Sequence, residues 1–258
     1  QSPIPNPQLL IINRIYLKLI YILGIYIQLK NKINMEETNK NNTNNSFEEN
    51  EDRSDSDDYS EENWTDHLEF FDKYQVPVTF FVTLERPTDF CYEAIKHGHE
   101  IGFHTVWHAD VTSLDEEEFQ RCAIDPIETF HNGGIELTSF AYPYGERNEK
   151  TDEELLRHYK VIRGAWYYEV HSKADLRHGY VEAYSIDNIH FQTEEEYQAE
   201  IDRILNELSN NVGAVTCLFS HAIEGGDWCI SEERLEYLFQ KADELGLEFY
   251  TFQELQKK

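Results

Sequence analysis

The stretch Glu100-Ile101-Gly102-Phe103-His104-Thr105-Val106-Trp107-His108-Ala109-Asp110 carries a short apolar run into two histidines four residues apart. Positions i and i+4 share a face wherever the backbone turns helically, so both imidazoles can meet one cation. Neutral imidazole is a common ligand for zinc and similar metals. The competing reading is two surface histidines at a strand-to-helix junction. Position 105 is Thr, so the motif is not the His-Glu-x-x-His that brings its own general base. A metal here takes its base and its third ligand from elsewhere in the chain. Two further stretches have chemistry at the end of an apolar run. Leu137 to Ala141 leads into Tyr142-Pro143-Tyr144-Gly145, and Val215 to Phe219 leads into Ser220-His221.

The elements that must position these residues follow from periodicity. Trp64, Leu68, Phe71 and Tyr74 fall at helical spacing, and Val76 to Val82 reads as a buried strand with Pro77 at its start. Thr88 opens a helix that Gly98 closes, and Glu100 to Phe103 is the next strand. A helix from about Ser113 stops at Asn132-Gly133-Gly134. Thr151 with Glu154 forms a capping box for a helix to His158. Val161 to Ala165 and Val181 to Ile186 are strands. Thr193 to Ser209 is a helix with acidic first turns that suit its dipole. Ser231 to Leu245 is helical, Glu248 to Tyr250 a short strand, and Thr251 with Glu254 caps a last helix. Strand–helix alternation predicts a parallel sheet covered by helices, an α/β fold. The number of strands points to a distorted (β/α)-barrel, complete or incomplete, in which chemistry sits at the C-terminal strand ends. His104/His108, Pro143-Tyr144 and His221 all lie at such ends.

The chain has 258 residues, with 50 acidic against 22 basic and a formal net charge of -28. That field disfavours nucleic acid and anionic membrane and is compatible with a neutral or cationic substrate. Cys91, Cys122, Cys217 and Cys229 form no Cys-x-x-Cys pair, and Cys217 in its apolar run reads as a buried thiol, which leaves the compartment open. Leu9 to Leu29 is apolar but interrupted by Asn13, Arg14 and Lys18. It reads either as translated non-coding sequence upstream of Met35 or as a signal anchor. The anchor implies a secreted or cell-surface protein, the other reading a cytoplasmic one. Met35 to about Asp55 is Asn-, Glu- and Ser-rich and is expected to be disordered. The expected division is therefore a non-globular segment over 1–56 and a barrel domain over 57–258.

The three strand ends, in this order, resemble the polysaccharide deacetylase family (carbohydrate esterase family 4). His104-Thr105-Val106-Trp107-His108 is similar to its His-Ser/Thr-x-x-His motif, and Ala141-Tyr142-Pro143-Tyr144 matches in part its Arg-x-Pro-Tyr. Leu218-Phe219-Ser220-His221 matches its Leu-x-His with one residue of slack. The family's Thr-Phe-Asp-Asp-Gly motif, placed by the family's spacing from Thr79, falls on Asp57-Asp58. There Tyr59 stands for the glycine and no apolar strand precedes the pair. Ala141 stands for the arginine that in the family orients the base aspartate. The family's Asp-Trp motif has its nearest counterpart in Asp187-Asn188, without the tryptophan.

The resemblance implies a metal-dependent hydrolase that removes N-acetyl or O-acetyl groups from a polysaccharide. Asp57 is then the base and His221 the acid. Asp58, His104 and His108 hold one divalent metal, zinc or else cobalt, iron or nickel. Tyr144 and Pro143 form the oxyanion and substrate contact, and Trp107 and Trp228 stack on sugar. Trp166 and Tyr167 are further aromatics at strand ends. The partner is a carbohydrate, with no nucleic acid and no membrane apart from the N-terminal anchor. Two alternatives stay open, an amide hydrolase for a small molecule and a catalytically impaired relic that acts as a binding domain.

Overall fold

The computed structural model describes residues 23–26, 61–171, 178–211 and 213–255. Eight strands form one parallel sheet: β1 Leu23–Tyr26, β2 Thr79–Val82, β3 Glu100–Phe103, β4 Ser139–Ala141, β5 Val161–Arg163, β6 Tyr180–Val181, β7 Ala183–Ser185 and β8 Cys217–Ser220. Their lateral order is β6-β5-β4-β3-β2-β1-β8-β7. The two ends of that order, β6 and β7, are consecutive in the chain and separated only by Glu182. One short extended run thus pairs with β5 through Tyr180 and Val181 and with β8 through Ala183 to Ser185. This is the parallel sheet with helices, the α/β fold, expected from the alternation of elements, its two end strands adjacent in the chain.

Side chains alternate along each strand. Phe80 and Val82 face the surrounding helices, whereas Phe81 points inward with Ala141, Val161, Val181, Cys217 and Phe219. Gly102 is required beside Phe81, because a Cβ there would lie 2.6 Å from the Phe81 ring and 2.7 Å from the Ser139 hydroxyl. The N-terminal end of the barrel is closed by Glu100, a buried carboxylate. It accepts hydrogen bonds from the hydroxyls of Thr79 (3.0 Å), Thr138 (3.1 Å) and Ser139 (2.8 Å), and from the backbone N–H of Gln253 (2.7 Å).

Several expectations change. β1 comes from within the segment expected to be non-globular and lies between β2 and β8 in parallel register. The rest of 1–56, with Asp57 and Asp58, lies outside the described residues. Glu248 to Tyr250 is not a strand; Tyr250 and Phe252 turn inward onto the barrel's inner cluster instead. The capping box of the helix Glu149–Leu155 is set three residues earlier, with Asn148 as the cap and Thr151 answering it. The last helix, Phe252–Leu255, has its reciprocal cap between Thr251 and Glu254 as expected. Among the described residues no helix is long and apolar enough to cross a membrane.

Candidate active site

β3 delivers His104 to the C-terminal mouth of the barrel, fully buried, with its backbone N–H on the Val82 carbonyl (3.0 Å). Its Nδ1–H donates to the Ala141 carbonyl at the end of β4 (2.7 Å), which leaves the lone pair on Nε2. His108 returns to it, with ring centroids 4.7 Å apart and planes at 66°. The two meet without a helix. Residues 104–109 are a loop in which Thr105 (φ 64°) and His108 (φ 53°) take the left-handed conformation that L-residues rarely adopt. The Thr105 hydroxyl closes the loop by accepting the Ala109 N–H at 3.1 Å.

Both imidazoles are held neutral. Burial pushes His104 well below the usual range, and any positive charge on the nearby His108, Arg163 and His221 acts in the same direction against the hydrogen bond to Ala141. His108 falls to about 4, chiefly from burial and then from His221. Two neutral histidines in contact, the tautomer of His104 fixed by Ala141, are a donor set suited to a borderline cation. Among the described residues no third His, Cys, Asp or Glu joins them.

Across the mouth, β8 ends at Ser220 and His221 follows it. The buried Asp187 carboxylate accepts from the hydroxyls of Ser185 and Ser220 (both 2.6 Å), from the His221 backbone N–H (3.0 Å) and from His221 Nδ1 (2.8 Å). Burial alone would push its pKa up, but His221 and the two serines outweigh that and hold it below the usual carboxylate range. This is an Asp–His pair with the ring fixed at Nδ1 and directed by its partner. Trp228 packs edge-on against His221 at 5.3 Å. Its loop is fixed by the Asn188 and Ile189 N–H groups, which donate to the carbonyls of Cys229 and Asp227.

After β4, Pro143 is buried and Tyr144 adopts φ 59°, so its exposed ring packs on His108 at 4.5 Å. Trp166 lies against Gly145, where a Cβ would come within 2.5 Å of the indole nitrogen. Trp107, Tyr144, Trp166, Tyr167 and Trp228 all remain exposed around the mouth.

Sequence reasoning missed Arg163. It is fully buried and stands directly beside Ala141 in the β4–β5 register. Its guanidinium lies 5.1 Å from the Phe81 ring and 4.7 Å from the Phe219 ring, on the strands that flank β1. An arginine one strand away from a position where one is expected is a register signal, readable only once β4 and β5 are aligned. Asp187, noted only as a weak motif match, is the other site residue that the geometry brings forward.

Residues 56–161 match the family model for polysaccharide deacetylase. The resemblance is to the polysaccharide deacetylases. The matched stretch takes in Asp57, Asp58, His104, His108, Pro143 and Tyr144 and stops before Asp187 and His221. The fold is similar to that of a family 4 acetyl xylan esterase from Clostridium thermocellum solved in complex with a cobalt ion, at TM-score 0.56 and 17% identity over 93% of this chain and 91% of that one. It is also similar to a peptidoglycan N-acetylglucosamine deacetylase, at TM-score 0.55 and 16% identity over 93% of this chain and 87% of that one. A third similar structure is the chitin deacetylase of the fungal pathogen Colletotrichum lindemuthianum, at TM-score 0.50 and 19% identity over 73% and 79% of the two chains. Likeness at these identities establishes the shared fold. No curated protein matches the chain in sequence.

Proposed function

We propose that the protein is a metal-dependent deacetylase that hydrolyses acetyl groups on a polysaccharide, at N-acetyl amino sugars first. The observation that carries this reading is the pair of neutral histidines in contact at the end of β3, facing an Asp–His pair at the end of β8. A divalent cation, zinc before cobalt, iron or nickel, would be held by His104, His108 and Asp58. When bound, it supplies Lewis acidity to an amide carbonyl and acidity to a water molecule.

The chain's own groups do the rest. Asp57 is assigned the proton of the attacking water, and His221, steered through Nδ1 by Asp187, hands a proton to the departing amine. The Tyr144 backbone N–H is assigned to the developing oxyanion. Arg163, in the register position beside Ala141, is assigned the electrostatic hold on the base carboxylate. Chain length supports the reach of the two aspartates. Asp58 is three residues before Glu61, a span of about 10 Å at most. Asn63 clamps the loop just beyond His221, donating to the Ile223 carbonyl (2.7 Å) and accepting its N–H (3.3 Å).

Aromatic side chains stand on both sides of the histidines, Tyr144 against His108 and Trp228 against His221. That spread favours a substrate of several sugar rings over a small amide. The test is acetate release from chitooligosaccharides, acetylated xylan and peptidoglycan fragments, with added divalent metal and after chelation. Release that needs the metal is expected. Absence of release from all three substrates with metal present would leave the binding-domain alternative.

A further inference from the structure

The helical run behind the histidine loop contains a wide turn. Between the helices Glu116–Phe119 and Pro126–Asn132, residues Gln120–Ile124 form a π-helical turn, with the Asp125 N–H on the Gln120 carbonyl five residues back (2.9 Å). Such one-turn widenings are uncommon and recur at functional sites. In an α-helix the Cys122 carbonyl would accept the N–H of residue 126. Residue 126 is proline and has none. The Cys122 carbonyl instead accepts the N–H of Val106, midway between the two histidines, at 3.0 Å.

Two neighbours of Cys122 in the same turn act on the same loop. The Arg121 guanidinium covers the ring of Trp107 at 5.1 Å. The Ala123 carbonyl accepts the Tyr159 hydroxyl at 2.6 Å, and the Tyr159 ring stacks parallel on Phe103, the residue before His104. The loop itself needs outside support. Two non-glycine residues at positive φ are strained and persist only where the surroundings over-determine them.

We infer that the π-turn Gln120–Ile124, with Pro126 behind it, is a positioning device for the histidine loop. It presents the Cys122 carbonyl to the Val106 amide and thereby sets the approach of His108 to His104. The inference rests on the reading that the two histidines hold a metal. It adds that the separation of the rings is set by a helix that contributes no ligand.

Pro126→Ala tests it, because the variant restores the N–H that can draw the Cys122 carbonyl back into the helix. A purely structural role predicts a modest fall in Tm, since Pro126 is buried at the first position of its helix, where proline is favoured, with metal affinity unmoved. The positioning role predicts the same modest fall in Tm together with about tenfold weaker Co2+ or Zn2+ binding, the low end for groups that orient a ligand. It also predicts faster hydrogen exchange at the Val106 amide and shifted His104 and His108 imidazole resonances in the metal-free protein. Unchanged affinity, exchange and resonances in a folded variant would overturn the inference. Should the variant not fold, exchange in the wild-type protein decides: a protected Val106 amide is expected, and one that exchanges within seconds overturns the inference. A wild-type protein that binds no metal counts against the metal reading, while the exchange and resonance measurements still judge the positioning role.

Discussion

β3 is four residues long and has an ionisable group at each end, Glu100 at its start and His104 just past its finish. Both are buried, yet they are treated in opposite ways. Glu100 is surrounded by four donors from β2, the start of β4 and the C-terminal helix, all backbone or short hydroxyl groups with no freedom to do anything else. His104 is anchored through Nδ1 on the Ala141 carbonyl, beside a second neutral ring, in a loop with two left-handed residues and an exposed aromatic rim. Saturation at one end and directed, strained geometry at the other separate what holds the barrel together from what it is built to present.

That contrast can be broken at either end. The largest effect is expected at the mouth: His104→Ala should lower kcat/KM for acetate release by about 10³-fold, the several kcal/mol attributed to a bound cation, with a small change in Tm. Comparable activity in the variant would dissolve the distinction. At the base, Glu100→Ala strands four donors and should cost about 3 kcal/mol of stability, or about 10 °C in Tm. Activity per folded molecule should be retained; a matching collapse of kcat in correctly folded protein would show that the base is not merely structural.

His99, next to Glu100, sharpens the same point through pH. It is buried against the rings of Phe71 and Phe80, and its Nδ1 accepts the Val78 N–H (3.2 Å). Burial lowers its pKa from 6.5 to about 4, with a small opposing pull from Asp72. Above pH 6.5 both folded and unfolded chains carry it neutral and its contribution is complete. As pH falls from 6.5 towards 4, the unfolded chain binds a proton that the folded chain refuses, so stability is lost across that window. Denaturant titrations between pH 7 and 4 should show this slope, and His99→Asn, which keeps an acceptor for Val78, should flatten it. The smallest effect belongs to the rim. Trp228→Ala should raise KM for a chitohexaose about tenfold, the scale of one aromatic contact, and leave a disaccharide less affected. Equal effects on both lengths would remove the argument for an extended substrate.

Much of this was legible before any coordinates. β2, β3 and β8 announce themselves as apolar runs between turn signals, and His104 and His221 are visible because each follows one, with His108 four residues after His104. What was hidden depends on distant neighbours. β1 is four residues, Leu-Gly-Ile-Tyr, inside a stretch whose composition suggests an anchor or non-coding sequence; only the open position between β2 and β8 makes it a strand. Arg163 has meaning only through its register with Ala141. The loop's left-handed residues carry no composition signal, since neither Thr105 nor His108 is the glycine that usually marks such a position. The stretch from Ser113 to Asn132 reads as one helix in the sequence, whereas the π-turn Gln120–Ile124 divides it ahead of Pro126.

The central claim is that the two histidines share a cation. Anomalous diffraction from crystals grown with Zn2+ or Co2+ tests it most directly. The account predicts one ion at the mouth, with one nitrogen of His104 and one of His108 at about 2.0–2.1 Å and a carboxylate oxygen completing the protein ligands. An ion bound elsewhere, or no ion at saturating metal in a folded protein, would contradict it.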